Sequence, residues 1–168
     1  IDLSANADQP MLSAEGRYVL SYNGEVYNFK ELRSELEAEG FAFRSKTDSE
    51  VVLYALAHWG VRAIDRFNGM FAFAFWDRKE STLLLARDRY GIKPLYVSRQ
   101  GNTFAFGSEH KAILARPGFE RRLDKPALLE YFTFQNIFTD RTLLEDIQLL
   151  PAGHYATLDL TKDKFSLK

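Results

Sequence analysis

Cysteine is missing altogether from the 168 residues, which excludes disulfides, thiolate metal sites and any thiol nucleophile carried by these residues themselves. Nor does either charge predominate: 22 Lys and Arg stand against 23 Asp and Glu, and without a basic face or stripe nucleic acid is not an expected partner. No stretch approaches the roughly 20 apolar residues of a membrane span. No charged-then-apolar leader opens the chain, so no membrane association is expected. Gly and Pro are few and scattered, with neither a low-complexity linker nor an internal repeat. What the sequence does have is bulk. Fourteen Phe and eight Tyr, in a chain 46% hydrophobic, suit one domain with a real core and rule out disorder.

The element order reads strand, helix, helix, then mostly strands. Arg17 to Tyr22 is rich in strand formers and ends at Asn23-Gly24. A helix is predicted from Asn28 to Glu39, with Phe29, Leu32 and Leu36 on one face and Gly40 just beyond. A second runs from about Asp48 to Trp59, opened by Thr47-Asp48-Ser49-Glu50 in capping-box form and stopped at Gly60. In Met70 to Trp76, Phe71, Phe73 and Phe75 point one way while Ala72, Ala74 and Trp76 point the other. Apolar residues on both faces imply a strand between layers, its Ala side open to a close neighbour. Thr82 to Ala86 returns antiparallel, and Leu95–Arg99 and Thr103–Phe106 form a hairpin about Gly101-Asn102. Short helices follow near Glu109–Ala115 and from Asp124 to about Tyr131. His154 to Leu160 reads as the last strand. The sum is α+β, best fitted by a layered sandwich.

Three segments carry candidate chemistry. Asn23-Gly24 between alternating apolar residues reads first as a hairpin turn. The functional alternative is a pair of aimed donors, the Gly24 backbone N–H and the Asn23 side-chain amide, able to stabilise an oxyanion. Asp48 complements a helix N-terminus by default, although a carboxylate there also suits a substrate ammonium group. Asp88 to Tyr96 places three charges and a Gly between strands and reads as an ion-paired turn rather than the rim of a site. His58, His110 and His154 lie too far apart for metal-ligand spacing, read as surface or locally bonded residues, and support no metal.

Taken together, Tyr22–Asn28, Thr47–Val51, Gly69–Asp77, Ala86–Tyr96, Ser108–Ala112 and Leu150–Gly153 resemble, in order and in kind, the glutaminase domain of glutamine-hydrolysing asparagine synthetase. That domain is a class II glutamine amidotransferase, and the resemblance runs from Ile1 to about Leu160. It implies an N-terminal-nucleophile hydrolase-like fold, a four-layer αββα sandwich with antiparallel sheets, here N-terminally incomplete. Residues 1–168 then form one partial amidotransferase domain, with about 161–168 as a tail toward a synthetase domain. In such a domain an N-terminal Cys attacks the amide of L-glutamine, and its own α-amino group manages the proton. The thioester is hydrolysed to glutamate, and the ammonia passes to an ATP-dependent domain that uses it on an adenylated aspartate.

Carried across by residue, the resemblance makes Asn23 and Gly24 the oxyanion hole, Gly24 fitting because a side chain would crowd the approaching amide. It makes Glu25 and Asp48 the contacts for the glutamine α-amino group. Ile1 counts with the substrate-binding set, at the end of a segment that begins in the family with an Arg binding the glutamine carboxylate. Thr47 stands where Ser is common, preserving the hydroxyl. No cofactor is implied for this domain; ATP and magnesium belong to the synthetase domain, and a cytoplasmic setting and homo-oligomers are compatible. The nucleophilic Cys is expected upstream of Ile1, so the isolated chain is expected to be inactive. A non-catalytic glutamine-sensing or scaffold module is the alternative, and an amidotransferase domain of a sugar-phosphate or nucleotide pathway is a third reading.

Overall fold

The computed structural model describes residues 8–162 and 164–168. Its elements are β1 (Met11–Leu12), β2 (Tyr18–Val26), α1 (Phe29–Ala38), α2 (Asp48–Trp59), a 3-10 turn at Gly60–Arg62 and α3 (Ala63–Arg66). Then come β3 (Gly69–Asp77), β4 (Thr82–Arg87), β5 (Tyr96–Gln100), β6 (Thr103–Gly107), α4 (His110–Leu114) and α5 (Lys125–Phe134). The chain closes with β7 (Ile147–Leu149), β8 (Tyr155–Asp159) and β9 (Lys164–Leu167). Two antiparallel sheets result, one of six strands in the order β1-β2-β3-β4-β8-β9 and one of three in the order β6-β5-β7.

The two faces of β3 organise everything else. Phe71, Phe73 and Phe75 pack with Leu20, Tyr22 and Val26 of β2 beneath α1 and α2. Ala72 and Ala74 face the second sheet; with Leu85 and Leu158 of their own sheet, Val97 of the second, and Leu95 and Leu150 they form a second core. Side chains one carbon long on that face let the sheets approach, as the alternation predicted. Helix α4 packs on β6, completing the order helix, sheet, sheet, helix.

Three expectations change. The Asn-Gly pair is not a turn: β2 runs through it to Val26, in register with β3 from Tyr18↔Asp77 to Val26↔Gly69. A type I′ turn needs positive φ at both central residues, and neither Asn23 nor Gly24 has it. The nine-residue partner strand outcompetes the local turn. Residues 164–167, expected within a tail, form β9 and pair with β8. In the Asp88–Tyr96 connection Asp88 and Arg89 are held by backbone groups instead of ion pairs, Arg89 donating to the carbonyls of Phe67 and Asp65. Asp88 accepts from the N–H groups of Phe71, Tyr90, Ile92 and Lys93, while Arg87 donates to the carbonyls of Gly91, Lys93 and Leu150.

The helix boundaries follow their caps. Thr47 Oγ1 accepts the Glu50 N–H at 3.3 Å, half of the capping box. The Glu50 carboxylate turns away to the N–H groups of Arg44 and Ser45 and to the Ser45 hydroxyl. Asp124 caps α5 through the Ala127 N–H, and that helix continues three residues past Tyr131.

Candidate functional site

Alternation along β2 sorts the candidate residues. Leu20, Tyr22 and Val26 are buried toward α2, whereas Ser21, Asn23 and Glu25 are exposed on the opposite face. Beyond Leu20 the partner strand β1 has ended, and the edge of β2 is finished by side chains. The Tyr22 N–H donates to Gln9 Oε1 at 2.6 Å, and the Val26 N–H donates to Asp48 Oδ2 at 3.0 Å.

These two bonds fix the direction of Gly24. N–H groups two residues apart on a strand point to the same side, so the Gly24 N–H points to the same edge, away from β3. Its partner residue agrees: both backbone groups of Phe71 turn to Asp88, the N–H to its carboxylate and the C=O to its N–H. Gly24↔Phe71 is therefore a non-hydrogen-bonded pair, the closer of the two antiparallel geometries. The Gly24 N–H has no partner among the described residues.

Glycine is demanded here by the sheet. A Cβ on Gly24 would overlap the Met70 carbonyl oxygen and come within 2.7 Å of Phe71 Cα. Gly69 reciprocates, since its Cβ would overlap the Glu25 carbonyl oxygen. The resemblance gave room for an approaching amide as the reason for this glycine; the sheet supplies a reason of its own, the close approach of β3.

Asp48, the first residue of α2, reaches back to β2. Its Oδ2 accepts from the Tyr22 hydroxyl at 2.8 Å and from the Val26 N–H at 3.0 Å, spanning the Asn23–Glu25 segment from both ends. Oδ1 has no partner among the described residues. Burial, and then the adjacent Asp48 carboxylate, push the Tyr22 phenol far above its ordinary range, so it stays a neutral donor. The Glu25 side chain is exposed and makes no hydrogen bond or ion pair among the described residues. No direct bond joins it to Asp48, and Ile1 lies outside the described residues.

Asn23 looks toward the second sheet. Its Nδ2 donates to Ser108 Oγ at 3.3 Å, beside a cavity of about 340 Å³ whose walls include Ala72, Ala74 and Phe106. An amide nitrogen carries two hydrogens, so one N–H remains. Tyr22 and Ser108 were given no site role from the sequence, although each opens a motif that carries the resemblance. The alternation of β2 places Tyr22 on the α2 side and so carries a signal; nothing in the sequence pairs Ser108 with Asn23, 85 residues away.

His110 is neither a surface residue nor a locally bonded one. Its ring lies on Tyr96 with centroids 4.0 Å apart, its Nε2 is buried without a partner, and burial lowers its pKa. Among the described residues no group of three or more His, Asp or Glu is placed to hold a metal ion.

The family model described as a glutamine amidotransferase domain matches residues 1–167. Asparagine synthetase [glutamine-hydrolyzing] 3 of Bacillus subtilis is 47% identical over 115 residues, 68% of this chain and 19% of that protein. Asparagine synthetase [glutamine-hydrolyzing] 1 of the same organism is 36% identical over 153 residues, 91% of this chain and 24% of that protein. A putative asparagine synthetase of Mycobacterium bovis is 38% identical over 162 residues, covering 92% and 25%. The chain thus spans a quarter or less of these relatives. Among solved structures, glutamine phosphoribosylpyrophosphate amidotransferase from B. subtilis superposes with a TM-score of 0.66 at 16% identity, over 98% of this chain and 32% of that one. At that identity the likeness concerns the fold.

Proposed function

Because the chain belongs to the glutamine amidotransferase domain family, and specifically to class II, we propose that it is the glutamine-hydrolysing unit of an asparagine synthetase-type protein of the cytoplasm. Its substrate is L-glutamine, and its products are glutamate and ammonia. The observation that carries this reading is the edge of β2, where a Gly24 N–H without a partner among the described residues adjoins the Asn23 amide and a carboxylate spans the segment.

In the proposed reaction a cysteine thiolate attacks the side-chain amide carbon, and the carbonyl oxygen becomes an oxyanion. The Gly24 N–H and the second Asn23 N–H donate to it. Each preorganised donor of this kind contributes about 2.7–4 kcal/mol to an acyl-transfer transition state. The C–N bond breaks as the proton given up by the thiol reaches the nitrogen, so ammonia leaves and the thioester forms; water then hydrolyses the thioester to glutamate and restores the thiol. Asp48 through Oδ1, with Glu25, holds the substrate α-ammonium group by charge-assisted contacts.

The thiol comes from outside these 168 residues, which contain none. Support for a place to receive it lies at β6, whose outer edge is unpaired among the described residues. That edge borders a groove of about 550 Å³ walled by Trp76, Phe104, Phe106 and Leu158, suited to an added strand with apolar side chains. Ammonia is consumed in a synthetase domain of the same parent chain, which is where ATP and magnesium act.

Two measurements test the reading. Asp48→Asn in the intact parent lowers glutamine-dependent kcat/KM by roughly a hundredfold and leaves ammonia-dependent synthesis unchanged; undiminished glutamine turnover overturns the ammonium contact. The purified 168-residue chain releases no glutamate from glutamine, and release at a rate comparable to the parent overturns the external nucleophile.

A further inference from the structure

The two donors to Asp48 fall on one oxygen. The Tyr22 hydroxyl and the Val26 N–H both reach Oδ2, at 2.8 and 3.0 Å, and this fixes the rotation of the carboxylate about its Cβ–Cγ bond. Oδ1 has no donor among the described residues, and Oδ2 is partly neutralised by its donors, so Oδ1 is the atom left for a cation. Val26 supplies a backbone group that the strand itself positions. Tyr22 differs in kind: its ring sits in the core among β2, β3 and α2 at 7% exposure, and only its hydroxyl emerges at the carboxylate. A buried ring holds that oxygen in place, and burial together with the adjacent carboxylate keeps the phenol protonated.

We infer that Tyr22 is a positioning residue that sets the orientation of Asp48 and thereby the preference of the site for substrates bearing an α-ammonium group. The inference rests on Asp48 as the ammonium-binding carboxylate and goes beyond it by naming the side chain that aims that carboxylate. Tyr22 itself touches neither the amide nor the thiol. Its effect is confined to one end of the substrate, and this separates it from a residue that merely supports the fold.

A pair of substrates distinguishes the two roles. L-glutamine and glutaramate, the same amide without the α-amino group, are compared in the intact parent enzyme. Tyr22→Phe removes one oxygen and retains the ring packing, so the protein folds, as thermal unfolding would verify. The expected result is a roughly tenfold fall in kcat/KM for glutamine, expressed in KM, with turnover of glutaramate altered by less than about twofold. The preference for glutamine over glutaramate drops accordingly. Equal losses on both substrates, or none on either, overturn the inference. Asp48→Asn, run beside it, separates the two levels. If Asp48→Asn leaves the preference intact, the ammonium contact itself is wrong; if it abolishes the preference while Tyr22→Phe preserves it, only the role of Tyr22 fails.

Discussion

Helix α2 buries seven of its twelve residues, whereas α5, ten residues long and comparably rich in apolar side chains, buries only Ala127. Leu53 of α2 is 0% exposed; Leu129, Phe132 and Phe134 of α5 are 68%, 74% and 61% exposed. The difference lies in what each helix faces. Helix α2 lies on the phenylalanine side of β3, with α1 beside it. The aromatics of α5 find mainly each other and the following loop, as Tyr131 with Phe132 and Phe134 with Phe138. Apolar residues on every side of a helix therefore mean that it needs a surface, and say nothing about whether the same chain supplies it. An exposed aromatic face of this kind marks an interaction site, and a synthetase domain is the partner that the proposed function requires.

The sharpest contrast comes from matched truncations. Leu53→Ala leaves a cavity in the closed core and costs about 2–5 kcal/mol, read as a lowered urea midpoint. Leu129→Ala, the same chemical change on α5, moves the stability of the isolated chain by less than about 0.5 kcal/mol. Comparable losses at the two positions would show that both helices are equally supported within this chain.

That asymmetry also separates what the sequence could and could not reveal. Period-two alternation in residues 70–76 correctly divided Phe71, Phe73 and Phe75 from Ala72 and Ala74, because both faces of that strand are buried and so leave opposite signatures. The capping residues Thr47 and Asp124 were legible because capping is local. Asn23-Gly24 misled for the same reason: a local rule favoured a turn, and a nine-residue pairing between distant strands overrode it. The resemblance supplied Asn23, Gly24, Glu25 and Asp48, but not why Asp48 sits where it does. That depends on Tyr22 and Val26 across a separation of more than 20 residues. The two-residue β1 and three-residue β7 were too short to leave a pattern.

A second, smaller effect probes the joint between the closed and open halves, where the chain leaves β4 for the second sheet. Asp88 is 1% exposed. Burial opposes its ionisation, but the N–H groups of Lys93, Ile92, Tyr90 and Phe71 outweigh this and hold its carboxyl below the usual range. Asp77, bonded to Arg17, shifts the same way. With the folded value depressed, the unfolded chain binds more protons at acid pH. The stabilisation is present above the ordinary carboxylate value near 4 and is lost as pH falls through the folded value. Asp88→Asn therefore destabilises the chain by about 1–3 kcal/mol at neutral pH. It also makes the decline below about pH 4 shallower, with the contribution of Asp77 remaining. Urea titrations at a series of pH values measure both; an unchanged acid slope would remove Asp88 as its source.

The smallest effect on the isolated chain is expected at Phe132, and it separates folding from assembly most cleanly. A serine there removes an aromatic ring that is largely in water, so chain stability changes by less than about 0.5 kcal/mol. Binding of a hydrophobic dye and concentration-dependent self-association both fall, because each draws on the exposed aromatic face. If the synthetase domain of the proposed parent is what covers the ring, the same substitution weakens the contact between domains. Glutamine hydrolysis then continues while less of the ammonia reaches product, raising the glutamate released per amide formed. If Phe132→Ser lowers the stability of the isolated chain by more than about 1 kcal/mol, α5 already has its surface and the contrast with α2 collapses. If stability holds and coupling in the parent is untouched, the face belongs to some other partner.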